Sequence, residues 1–131
     1  MNKEHSLRHG NVEPALRLVA MPKDTNEVGD IFGGWIMSQV DIAGAVVASQ
    51  LSKGRVVTIA VTDFLFKKPV LVGDLISCYA KVIKVGKTSI TVQLEVCAQR
   101  GGASEECIKV TEATIVYVAV DDNGKPREVH R

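Results

Sequence analysis

The sequence predicts an α+β domain in which one long apolar helix is wrapped by an antiparallel β-sheet. Apolar residues recur at three- and four-residue steps up to Leu51, the spacing of a helix face. After Gly54 the pattern changes to alternation, and four successive segments carry it. A strand, a helix and a run of long antiparallel strands bury their apolar faces together when the sheet curls around the helix. The 131 residues suit a single domain with one core.

Taken in order, residues 1–13, opening with "MNKEHSLRHG", read as a flexible polar tail. The folded domain is expected over 14–123 and a polar tail over 124–131, flexible after Asp121, where "DDNGKP" is a turn or loop signal. "LRLVA" (16–20) is a short strand candidate. Gly33 and Gly34 precede a helix predicted from about Trp35 to Leu51, in which Ile36, Val40, Ala43, Val47 and Leu51 form one apolar face. The adjacent stripe is Met37, Asp41, Gly44, Ala45 and Ala48, whose small residues allow close approach of another element. Such a helix is apolar over much of its circumference and fits burial on several sides.

"VVTIAVTDFLF" (56–66) sets Val57, Ile59, Val61 and Leu65 on one face. "LISCYAKVIKV" (75–85), "SITVQLEVCAQ" (89–99) and "CIKVTEATIVYVAV" (107–120) continue the sheet. Ile90, Val92, Leu94, Val96 and Ala98 alternate with Thr91, Gln93, Glu95 and Cys97, the signature of a half-buried antiparallel strand. "VGKT" supplies a tight turn between two strands and "RGGASEE" a looser one.

Composition narrows the function. Charged residues make up 24% and apolar residues 46%, an ordinary globular balance. A net charge of +1, from 16 basic and 15 acidic residues, argues against binding nucleic-acid phosphates as the main task. Cys78, Cys97 and Cys107 are odd in number and lack CxxC spacing, so reduced thiols in a cytoplasmic protein are expected. The polar N-terminus shows no signal peptide. The longest apolar run is broken by Ser38, Gln39, Asp41 and Gln50, too polar and too short for a membrane span.

Several motifs dissolve on inspection. "GKT" (86–88) resembles the end of a phosphate-binding loop, but Lys81 stands where that motif needs glycine, and a strand pattern follows instead of a helix. "GDIFGG" is no dinucleotide fingerprint. Its glycines just ahead of a helix still permit close backbone approach, and first-turn N–H groups can bind an oxyanion; a plain loop-to-helix junction is the competing reading. His5, His9 and His130 all lie in the terminal segments, so a histidine-based triad has no base in the folded body. Clustered acidic or HxxxH metal ligands are absent from the sequence.

Asp41 is the informative residue, the one charge between Asp30 and Lys53. An unpaired buried carboxylate costs several kcal/mol, roughly, so its presence needs a reason. A structural role would pair it with a cation or use it at a helix break. A functional role would hold it in a partly desolvated cleft with a raised pKa, as base or nucleophile. Aspartate is a poor mid-helix residue and no other charge lies within a turn, which favours function. Asn26, in the loop before the helix, is the nearest neutral hydrogen-bonding partner; a plain loop role stays open for it.

The stretch "MPKDTNEVGDIFGGWIMSQVDIAGAVVASQ", with "GRVVTIAV" and "KPVLVGDLI" behind it, closely resembles the YciA-type acyl-coenzyme A thioesterases, hot-dog fold acyl-CoA hydrolases. The match covers about Leu16 to Asn123, nearly the whole domain. The resemblance implies a long central helix wrapped by an antiparallel sheet. It also implies homodimers joined sheet edge to sheet edge, usually assembled to hexamers as trimers of dimers, with active sites at the dimer interface. By the same resemblance Asp41 is the catalytic carboxylate, as general base or nucleophile, and Asn26 is contributed across the interface. Gly33 and Gly34 fall where backbone N–H groups stabilise the oxyanion.

The substrate would be an acyl-CoA, with coenzyme A as part of substrate and product and no cofactor, and neither nucleic acid nor membrane as partner. Its phosphates would need basic residues at the tunnel mouth; Arg55, Lys68, Lys84 and Lys87, with Thr88 beside them, are candidates, and each also reads as a solvated surface residue. A hot-dog dehydratase would want a histidine paired with a carboxylate. A non-catalytic acyl-CoA-binding or sensing module is the rival from another class, against which the pairing of Asp41 with Asn26 argues.

Overall fold

The structure, a computed structural model, describes residues 12–101 and 106–130. Most of the segment expected as an N-terminal tail, with His5 and His9, lies outside the described residues. Strand β1 (Leu16–Val19) is followed by a short 3-10 turn at Pro22–Asp24 and by helix α1 (Gly33–Ser52). Four long strands come next: β2 (Val56–Phe66), β3 (Leu75–Val85), β4 (Ser89–Gln99) and β5 (Ile108–Ala119). They form one antiparallel sheet in the order β1-β3-β4-β5-β2, with α1 packed on it.

The helix buries Ile36, Val40, Ala43, Gly44, Ala48 and Ser52. They meet the inward row of β4, where Ile90, Val92, Leu94, Val96 and Ala98 are all buried in the same core as the alternation predicts. The helix starts two residues earlier than predicted, because Gly33 and Gly34 form its first turn behind an N-cap, Phe32, that makes no side-chain cap bond. It ends at Lys53, held in the left-handed region at φ 57° with its N–H on the Ser49 carbonyl.

Strand β2 departs from the simple alternation. Its register against β5 slips between Thr58 and Ala60 and again between Val61 and Asp63. Each bulge reverses which side chains point inward. Opposite the buried β5 residues Ala119, Tyr117, Ile115, Ala113 and Thr111 stand Val56, Thr58, Val61, Phe64 and Phe66. Of the face expected from the sequence only Val61 stays on that side; Val57 and Leu65 pair with the half-buried Val118 and Glu112. β2 is also a sheet edge, and Val57, Ile59, Val61, Leu65 and Phe66 are all exposed in the single chain.

Two expectations are corrected. Cys97 and Cys107 are joined by a disulfide, and only Cys78 remains a free, buried thiol. The β4–β5 connection brings their Cα atoms to 5.4 Å, within bridging reach, which spacing alone does not reveal. The polar segment after Asp121 is not a loose tail. Asp121 Oδ1 accepts the N–H groups of Asn123 and Lys125, the Val129 N–H donates to the Lys87 carbonyl, and Val129 is buried. Arg127 also donates to the Ser52 carbonyl at 2.9 Å and so caps the last turn of α1.

Candidate active site

Asp41 lies two turns into α1, half-buried. Thr58 Oγ1 on β2 donates to its Oδ1 at 2.7 Å. Tyr117 Oη on β5 donates to its backbone carbonyl, also at 2.7 Å. The two donors are direct partners across the β2–β5 ladder, so one rung of the sheet holds the residue by side chain and main chain. Among the described residues no salt bridge involves Asp41. Thr58 engages only Oδ1, and the Tyr117 phenol, bonded to the main-chain carbonyl, also interacts with the carboxylate beside it. Burial, and next the Asp41 carboxylate, push the Tyr117 phenol well above its ordinary pKa, so it stays a proton donor.

The loop ahead of α1 is organised by Asn26. Its Oδ1 accepts the N–H groups of Val28 and Asp30, both at 3.0 Å, and its own N–H donates to the Asp30 carbonyl. That leaves the side-chain amide N–H groups of Asn26, which is exposed, without a partner among the described residues. Asp24 anchors the loop from the other side; the Met21 N–H bonded to its carboxylate holds it below the usual carboxylate range.

Gly33 and Gly34 present their N–H groups at the start of α1, with no acidic side chain in the first turn. Gly33 borders a cavity of about 420 Å³ whose walls are Ile31 and Ile36 on one side and residues 66–70 on the other. Phe66 lies against Gly33 closely enough that a Cβ there would meet its ring at 3.0 Å. Lys68 lines the cavity and has no ion-pair partner among the described residues, whereas Lys67 pairs with Glu112 at 3.0 Å.

The proposed phosphate contacts do not form one group in a single chain. Arg55 immediately precedes β2, Thr88 and Lys87 sit beside the ends of β5 and of the C-terminal segment, and Lys84 lies close by on β3. Lys68 stands beyond the other end of β2, roughly 35 Å away along an eleven-residue strand. Gly33 and Asp41 are likewise apart, since eight residues of helix span about 12 Å. No single carbonyl can touch both within one chain. Thr58 and Tyr117 carry no motif the sequence could have flagged; the bulge at β2 and the strand register bring them to Asp41.

Among the described residues no group of His, Cys, Asp and Glu side chains could hold a metal ion, and no helix is long and apolar enough to cross a membrane.

Comparison with known proteins gives a consistent picture. Residues 28–105 match the family model of the Thioesterase superfamily. The chain is 50% identical over 117 residues to the acyl-CoA thioester hydrolase YciA of Salmonella typhimurium, covering 88% of each chain. A hexameric hotdog fold thioesterase of Campylobacter jejuni is 54% identical, with a TM-score of 0.84 over 88% of this chain and 89% of that one. A hexameric broad specificity acyl-coenzyme A thioesterase, solved also as an aspartate-to-alanine variant, is 46% identical with a TM-score of 0.86; 95% of this chain covers 85% of that one.

Proposed function

We propose a mechanism for a chain that belongs to the Thioesterase superfamily and, within it, to the acyl-CoA thioester hydrolases of the YciA type. The protein hydrolyses acyl-CoA thioesters to the free acid and coenzyme A. Asp41 is the catalytic carboxylate, and the observation that carries this reading is its grip by Thr58 and Tyr117 with Oδ2 outside the Thr58 bond. Two routes use that oxygen. In one it takes a proton from water as the water attacks the thioester carbonyl; in the other it attacks the carbonyl itself and water later hydrolyses the anhydride. In both the C–S bond breaks and the sulfur leaves as the coenzyme A thiol once protonated. Water is the only co-reactant either route needs, and neither calls for a cofactor or metal.

The oxyanion is stabilised by the Gly33 and Gly34 N–H groups at the positive end of α1. Because these stand about 12 Å from Asp41 along the helix, the complete site takes them, with Asn26, from a second copy of the chain. The exposed apolar edge β2 is the natural seam of that homodimer. Assembly to a hexamer follows the relatives. Lys68, beside the cavity at the helix start, is the foremost candidate for a coenzyme A phosphate; Arg55, Lys84, Lys87 and Thr88 form a separate group at the far end of the sheet.

Asp41→Asn tests the reading. The amide keeps size and the Thr58 contact but cannot act as base or nucleophile, so kcat should fall at least about a hundredfold while folding survives. A folded Asp41→Asn protein that releases thiol from acyl-CoA near the parental rate refutes it.

A further inference from the structure

The central helix of this fold carries a glycine, Gly44, in its interior, where glycine destabilises a helix relative to alanine. Its backbone conformation does not demand it, since Gly44 is absent from the residues with positive φ. The reason is space. A Cβ built at Gly44 would overlap the hydroxyl and ring of Tyr117, a residue with no exposed surface. The phenol uses the gap to donate to the Asp41 carbonyl, which as a helix-interior acceptor already has its place in the helix ladder. The bond therefore satisfies the tyrosine hydroxyl without rescuing any orphaned group on the helix.

What the contact does is fix the helix, in rotation and along its axis, at Asp41. Tyr117 reaches it from β5, and Thr58, paired with Tyr117 in the ladder, reaches the carboxylate of the same residue from β2. One tether holds the main chain and the other the side chain. We propose that Tyr117, seated on the bare backbone of Gly44, is a positioning residue of the hydrolysis, setting where the Asp41 carboxylate meets the thioester carbonyl. This rests on the reading of Asp41 as the catalytic carboxylate. Displacements on the order of 1 Å from a reactive geometry cost up to about a hundredfold in rate, so a helix free to shift at this turn loses turnover before it loses its fold.

Tyr117→Phe keeps the buried ring and removes the tether. Its kcat should fall about tenfold with KM within about twofold, as for a group that acts on the reacting geometry and not on substrate affinity. Introduced into Asp41→Asn, the same change should cost no further activity, because its effect passes through the carboxylate. A merely structural tyrosine would lower the melting temperature yet leave kcat per folded molecule at the parental level, or depress activity equally in both backgrounds; either outcome overturns the proposal. Gly44→Ala, which pushes the ring away, should lose at least as much kcat as Tyr117→Phe; a folded Gly44→Ala protein with parental kcat also overturns it, and if that variant does not fold, Tyr117→Phe decides. If Asp41→Asn itself stays active, the reading of the site has failed; if only Tyr117→Phe stays active, the positioning role alone has failed.

Discussion

Removing the Arg100 side chain should destabilise the fold by about 2–3 kcal/mol, and removing its partner's charge as well should restore much of the loss. Arg100 Nε donates to both carboxylate oxygens of Asp74, at 3.0 and 3.2 Å, and a terminal nitrogen donates to the Pro69 carbonyl at 2.8 Å. The Asp74 side chain is 2% exposed, that of Arg100 37%. Breaking a buried pair from one side costs about 3–5 kcal/mol, chiefly because a charge is stranded; partial access of water at Arg100 places this case at or below the lower end. For a chain of this length that is a drop of roughly 8 °C in melting temperature. Arg100→Leu measured by thermal unfolding gives the first number. Asp74→Asn with Arg100→Leu gives the second, since the amide oxygen still accepts the Leu71 N–H that Asp74 Oδ2 now holds at 2.8 Å. A double variant no more stable than Arg100→Leu, or a single variant within about 2 °C of the parent, refutes the reasoning.

Alkaline pH should erode stability through two buried donors. Burial pushes the Cys78 thiol up to about 12, and burial followed by the Asp41 charge pushes Tyr117 above its usual value. The unfolded chain then releases these protons at lower pH than the folded one, so stability is whole below about pH 9 and falls as pH rises toward 12, by up to about 1.4 kcal/mol per pH unit for each group. Urea midpoints between pH 8 and 10.5 should show the decline, and Cys78→Ala should flatten it; an unchanged slope in that variant excludes the thiol. Assembly should fail when the exposed edge of β2 is charged: Ile59→Lys should give monomers by light scattering, with turnover lost, and a fully active monomer would remove the shared-site argument.

Local periodicity made most of the architecture legible. The strands from Val56 to Phe66, Leu75 to Val85 and Ser89 to Gln99 run where alternation placed them, because a half-buried strand writes its burial into every second residue. Asp41 was legible as a charge out of place. Thr58 and Tyr117 were not, since a hydroxyl in a strand looks the same whether or not it faces a carboxylate. The β2 bulges, the Cys97–Cys107 bond and the packing of Val129 share that character: each depends on which distant segment lies opposite, and no residue nearby records it.

The strand order also sets a schedule for synthesis. β2 is the second strand made, yet among the described residues its strand partner is β5, the last. Roughly fifty residues must be added between them, which takes several seconds at about 5–20 residues per second. Meanwhile β3, β4 and β5 can fold as a meander of neighbours, while "VVTIAVTDFLF" waits with both of its edges open. One charge, Asp63, interrupts that apolar strand, in the position of a gatekeeper against premature pairing with other nascent chains. The edge proposed as the homodimer seam is thus also the stretch left longest without a partner during synthesis, so yield in a cell is expected to depend on chaperone supply as well as on the stability of the finished fold.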